Sequence, residues 1–113
     1  MRNNNDLRWL IAAIIIISVL FVLGCSTNNT DIKKGEAIYV KACKVCHAQG
    51  IIGAPVLGNQ ANWRDRKGQG VGVLVQHAVN GYGLMPAKGG KTELTDQEIR
   101  YVVKYMLSAL EES

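Results

Sequence analysis

The chain has 113 residues, room for about one domain, and its net charge of +4 is too mild to build a nucleic-acid-binding surface. Apolar residues make up 48% of it, but they are concentrated near the start, so the remainder can bury only a small core. A domain of that size often recruits a disulfide, a metal or a cofactor, which directs attention to the three cysteines.

Residues 1–24 read as an export signal of lipoprotein type. Arg2 and Arg8 stand against Asp6, and the fifteen residues WLIAAIIIISVLFVL, Trp9 to Leu23, carry no charge. As a helix the run would be roughly 22 Å long against a hydrocarbon core of about 30 Å, so it is short for a permanent span. An uncut anchor is the alternative. Cutting before Cys25 removes Arg2, Arg8 and Asp6 and leaves 89 residues with a charge of about +3. Residues 25–30 read as a polar tether, because STNNT has nothing to bury. The Asn28 sequon carries little weight behind a bacterial signal.

The domain proper is expected at 31–113. Thr30 or Asp31 can cap a helix through IKKGEAIYVKACKVC, with Ile32, Ile38, Tyr39, Ala42 and Val45 on its apolar side. Gly35 inside it costs ~1 kcal/mol relative to Ala, which points to close packing at that position. AQGIIGAPVLGNQAN then reads as a loop wrapped over something. A helix is expected over about 70–79, where Val71, Leu74, Val75, Ala78 and Val79 keep helical spacing and Asn80-Gly81 gives the stop. A second loop, YGLMPAKGGKTE, leads to the clearest helix. There Thr95 and Glu98 form a capping box, Leu94 and Ile99 can staple across it, and Ile99, Val102, Val103, Met106 and Leu110 share a face. No set of paired strands is expected, so the fold class is all-α.

Residues 43–47, CKVCH, carry the chemistry. Two thiols about one turn apart can both bond to one haem, and the adjacent His47 can become an axial ligand of its iron. A zinc site would need about four ligands, and beyond Cys43, Cys46 and His47 the candidates are His77 and Cys25. A thioredoxin-type Cys-x-x-Cys would follow a strand, and none is expected here. A structural disulfide would leave His47 without a purpose. Covalent haem is therefore the favoured reading. For the second axial position Met85 is favoured, because Pro86 stiffens the backbone beside it and the surrounding glycines permit close approach to a flat ring. Met106 reads as core filler and His77 as a solvated histidine on the polar side of its helix.

GEAIYVKACKVCH, GAP, MPAKGG and LTDQEIRYVVKYM, in that order, resemble the class I c-type cytochromes, and within them the cytochrome c-five subgroup. The resemblance implies a small all-helical fold of three to four helices around one haem c, attached through Cys43 and Cys46 with His47 and Met85 as axial ligands. It also implies that Gly35 packs against an aromatic of the last helix, Tyr105, and that the Pro55 carbonyl accepts the ring N–H of His47. NWRDR corresponds to the subgroup's Trp and Arg near the haem propionates, pointing to Trp63 and Arg66, with Arg64 as the alternative charge. GGKTELT lacks the extra cysteine pair that members often carry.

The function expected is that of an electron carrier cycling between Fe(II) and Fe(III), since a Met/His pair saturates the iron. The alternatives are a gas sensor or small peroxidase-like enzyme with a labile methionine, or a cytochrome subunit of a larger oxidoreductase. Lys41, Lys44, Arg64, Arg66, Lys67, Lys88 and Lys91 would form a basic rim that steers docking to an acidic patch on a redox partner, unless they are simply solvated. Val22-Leu23-Gly24-Cys25 resembles a bacterial lipobox, which implies lipid on Cys25 and a place in the cell envelope, membrane-anchored and facing the periplasm or extracytoplasmic side.

Overall fold

The protein is described by a computed structural model covering residues 3–23 and 26–111. It divides into two compact units, one reaching Thr30 and the other beginning at Asp31.

In the first unit, helix α1 (Asn4–Leu23) contains the charge-free run. Its described side chains are exposed throughout. Among the described residues no helix is long and apolar enough to cross a membrane. Cys25, the expected lipid attachment point, lies outside the described residues.

Helix α2 (Ser26–Ile38) starts earlier than expected. Ser26 to Thr30, read from sequence as a tether, are helical. Asn28, Asn29 and Thr30 are exposed in it.

After Ile38 the helix widens. Tyr39–Cys43 is a π-helical turn, in which the amide of Lys44 donates to the carbonyl of Tyr39 five residues back, and α3 (Lys44–His47) resumes the ordinary winding. One extra residue in a turn rotates everything after it by about 100° relative to a continuous α-helix. This explains why Val45, expected on the apolar side, is 77% exposed, whereas Tyr39 at the start of the turn is buried at 4% and His47 after it at 8%.

The remaining helices are α4 (Gln60–Lys67), α5 (Val71–Asn80) and α6 (Asp96–Ser108). Counting Ser26 to His47 as one rod, the helices from Ser26 onward number four among the described residues, and no strand occurs among them beyond an isolated bridge between Tyr82 and Met85. Helix α6 has the expected start: the Thr95 hydroxyl accepts the Glu98 amide at 3.2 Å and the Glu98 carboxylate accepts the Thr95 amide at 2.8 Å. The Thr95 backbone bond, followed by the bond to its hydroxyl, holds the Glu98 carboxyl below its usual range.

Two apolar clusters meet along α6. Tyr39, Trp63, Val102, Met106 and Leu110 form one, and Leu74, Val75, Ile99 and Val103 form the other, with Leu94 packed against it as the staple requires. Gly35 lies where α2 crosses α6. A methyl group there would run into the backbone carbonyl of Tyr101 and come within 2.8 Å of the Tyr105 Cβ, so the crossing is closer than the expected contact with Tyr105 alone. Near the same crossing the Lys104 ammonium meets the Asp31 carboxylate at 2.9 Å.

Candidate haem site

The π turn and α3 present the CKVCH motif. Cys43 and Cys46 are half-buried and carry no disulfide, and His47 is the one buried polar side chain among the described residues. Burial, followed by the neighbouring Cys46, pushes the Cys43 thiol up to about 11, so it is neutral at physiological pH. No group of three His, Cys, Asp or Glu side chains able to hold a metal ion occurs among the described residues.

The loop after α3 folds back over His47. The Leu57 amide donates to the His47 carbonyl at 2.9 Å, and the ring Nδ1 lies 2.9 Å from the Pro55 carbonyl. A carbonyl can only accept, so Nδ1 carries a proton, and in the neutral ring Nε2 is the nitrogen left to bind a metal. Pro55 thus stands where the resemblance placed it. To reach this position the loop passes through Ile52 at φ 47°, a left-handed conformation that costs a β-branched residue on the order of 1–3 kcal/mol.

Helix α4 fastens that loop, and sequence reasoning did not separate it from the loop. Its signal was available: the Asn59 side chain caps it by accepting the Asn62 amide at 3.0 Å. Two α4 side chains then grip Val56. The Asn62 side-chain Oδ1 accepts its amide at 3.1 Å, and the Trp63 indole N–H donates to its carbonyl at 2.8 Å. The polar end of Trp63 is therefore spent inside the fold. Asn62, which the sequence did not single out, completes the support of the residues that orient His47. Arg66 is half-buried, donates to the Asn62 carbonyl at 2.6 Å, and lines a cleft of about 320 Å³ with Gly50, Gly53, Ala54, Pro55 and Asn62. Arg64 is exposed.

The Met85 loop is closed at its base. Tyr82 and Met85 exchange two backbone hydrogen bonds, each 3.0 Å, and Met85 is half-buried. Gly81, at φ 86°, lets this turn fold tightly: a Cβ there would sit 3.0 Å from both the Met85 oxygen and the Ala87 nitrogen. Further on, Gly89 faces the Ala42 carbonyl beside Cys43, which brings this loop against the motif. His77 is half-buried and stacks on Tyr82 with ring centroids 4.1 Å apart, while Met106 is buried in the core. Of the expected rim, Lys41, Lys44, Arg64, Lys67 and Lys91 are exposed, but Lys88 is tied down by the Leu94 carbonyl and the Asp96 carboxylate.

The donor set fits a covalently held haem: two unbridged thiols one turn apart, a buried imidazole with one nitrogen committed, and large exposed apolar side chains, Ile51, Ile52 and Leu84, in the flanking loops. Residues 30–106 match the family described as "Cytochrome C oxidase, cbb3-type, subunit III". The chain is 38% identical to cytochrome c-555 of Chlorobaculum tepidum over 101 residues, covering 86% of this chain and 93% of that protein. It is 32% identical to cytochrome c5 of Ectopseudomonas mendocina over 66% of this chain and 87% of the relative. Among solved structures, it is similar to a chain in the crystal structure of the electron transfer complex of nitrite reductase with cytochrome c. That match has a TM-score of 0.65 and 39% identity, and covers 68% of this chain and 94% of the other. The chain belongs to that family, within the class I monohaem c-type cytochromes: an electron-carrier fold with one haem c bound covalently through Cys43 and Cys46.

Proposed function

We propose that this cytochrome carries electrons in the bacterial cell envelope with its haem iron held between Nε2 of His47 and the sulfur of Met85. The observation that carries the reading is the His47–Pro55 bond at 2.9 Å, which leaves one ring nitrogen, held in a buried orientation, to donate to a metal. Met85 is the sulfur of choice because Met106 is spent in the core and His77 is stacked on Tyr82. The haem supplies the reversible Fe(II)/Fe(III) change. The residues around it hold the ligands still, and Arg66 adds a cation beside the His47 loop to meet the haem carboxylates.

If His47 and Met85 both held the iron, gas or peroxide chemistry there would be disfavoured, which favours the carrier over a sensor or peroxidase. The nitrite reductase complex of the similar structure supports a redox protein as partner. The test is carbon monoxide added to the reduced protein. The wild type is expected to give no rapid spectral change at neutral pH and Met85→Ala a full one. Rapid binding by the wild type would favour the sensor, and an unchanged Met85→Ala spectrum would remove the methionine ligand.

The tether belongs to the same reading. Lipid on Cys25 would hold the domain at a membrane, since each buried methylene contributes ~0.8 kcal/mol and more than one acyl chain makes anchoring stable. The mature mass is expected to show cleavage before Cys25 with added acyl chains. A mass for the intact N-terminus would instead support the uncut helix.

A further inference from the structure

The Met85 loop contains one side chain whose placement the electron-carrier reading does not use. Lys88 stands at φ 54°, one of two non-glycine residues with positive φ among those described. Gly89 at φ 63° and Gly90 at φ 82° continue the left-handed run, yet its first position is occupied by a long cationic side chain. That side chain is not spread into solvent. It retains 21% exposure, its ammonium donates to the Leu94 carbonyl at 2.6 Å, and it lies 3.1 Å from the Asp96 carboxylate.

These contacts connect two parts of the fold. Lys88 lies three residues after Met85, joined to it through the turn in which the Gly89 amide donates to the Pro86 carbonyl at 3.0 Å. Leu94 and Asp96 belong to the start of α6: Leu94 packs against the cluster of Ile99 and Val103, and Asp96 is the first residue of the helix. The side before Met85 is held by the two bonds to Tyr82. On the side after it, the described side-chain bond from the loop into the α6 end is the one from Lys88.

We infer that Lys88 is a positioning residue that locks the Met85 loop to the N-terminal end of α6 and so keeps the methionine sulfur from leaving the iron. The inference rests on the reading of Met85 as an axial ligand and deepens it. Most of the effect comes from the bond to the Leu94 carbonyl, because a charged donor to a partly buried carbonyl is strong, whereas Asp96 is 71% exposed and its ion pair is screened. Removing the side chain frees the loop to open without disturbing His47, Pro55 or the thiols.

The experiment compares the holoprotein with Lys88→Ala, Lys88→Arg and Met85→Ala. Three quantities are read: the pH at which the sulfur-to-ferric-iron charge-transfer band is lost, the rate of carbon monoxide binding to the reduced form, and amide hydrogen exchange over residues 85–90. For Lys88→Ala the band is expected to vanish at a lower pH, carbon monoxide to bind about tenfold faster or more, and exchange to rise in that segment while the amide of Leu57 keeps its protection. Lys88→Arg is expected to restore the wild-type behaviour in large part, as a charged donor of similar reach. A Lys88→Ala protein with wild-type band midpoint, carbon monoxide rate and loop exchange would overturn the lock, as would a Lys88→Arg protein as labile as the alanine variant. If Met85→Ala keeps the band, the axial assignment itself fails. If Met85→Ala loses it while Lys88→Ala behaves as wild type, the ligand stands and the lock falls. Should Lys88→Ala not accumulate, the exchange and carbon monoxide measurements on Lys88→Arg and on Lys88→Gln, which retains a shorter donor, decide between the lock and a solvated lysine.

Discussion

A methyl group on Gly35 would have to displace backbone rather than a flexible side-chain tip, because its nearest neighbour is the Tyr101 carbonyl. Gly35→Ala is therefore expected to destabilise the protein by about 1–3 kcal/mol, the usual cost of overpacking, although alanine is the better helix former by ~1 kcal/mol. Chemical denaturation of the holoprotein measures it, and equal stability would mean that the crossing can relax at no cost. The glycine was visible in the sequence as an anomaly inside a helix, and so was His47, whose place after Cys-x-x-Cys and whose Pro55 partner both followed from the motif resemblance. Lys88 was not legible. Composition counts it as one more surface cation, and its burial, positive φ and bond to Leu94 are set by a loop path that spacing does not encode.

At the scale of elements, legibility tracked how many local signals agreed. Helix α6 carried a capping box, a staple and an unbroken apolar face, and helix α5 had its periodicity and an Asn-Gly stop, so both formed where expected. Helix α4 had its Asn59 cap but little apolar periodicity, since Trp63 is its one buried residue, and it was absorbed into the preceding loop. The π turn was the least legible. A shift to i-to-i+5 bonding, such as that from Lys44 to Tyr39, leaves no mark on residue type, and it accompanies the packing of Tyr39 on Tyr105 and the inward turn of His47. That one-residue offset is why Val45 was placed on the wrong side and why the motif faces the loop that orients its histidine. Strained or widened backbone next to a ligand-bearing motif is where local rules are expected to yield to function.

For the whole molecule, the question is how a net charge of only +4 can guide a partner. It can do so only if the charge is local, since at 0.1 M ionic strength fields fade over about 10 Å. Lys41 and Lys44 flank Cys43 along the motif helix, and Lys91 follows the Met85 loop; all three are exposed, whereas Lys88 is neutralised by Asp96 and Lys104 by Asp31. Their pairing leaves the exposed Lys41, Lys44 and Lys91 to carry the charge beside the site. Electron transfer to a small acidic redox protein is therefore expected to slow by about tenfold or more as ionic strength rises from roughly 10 mM to 0.5 M. Lys44→Glu should remove much of the low-salt advantage, and it should leave the rate at high salt nearly unchanged. Stopped-flow mixing of the reduced protein with the oxidised acceptor across that range checks both. A profile flat with salt, or a Lys44→Glu protein as fast as wild type at low salt, would return these lysines to the role of a solvated surface and leave docking to the apolar side chains of the two loops.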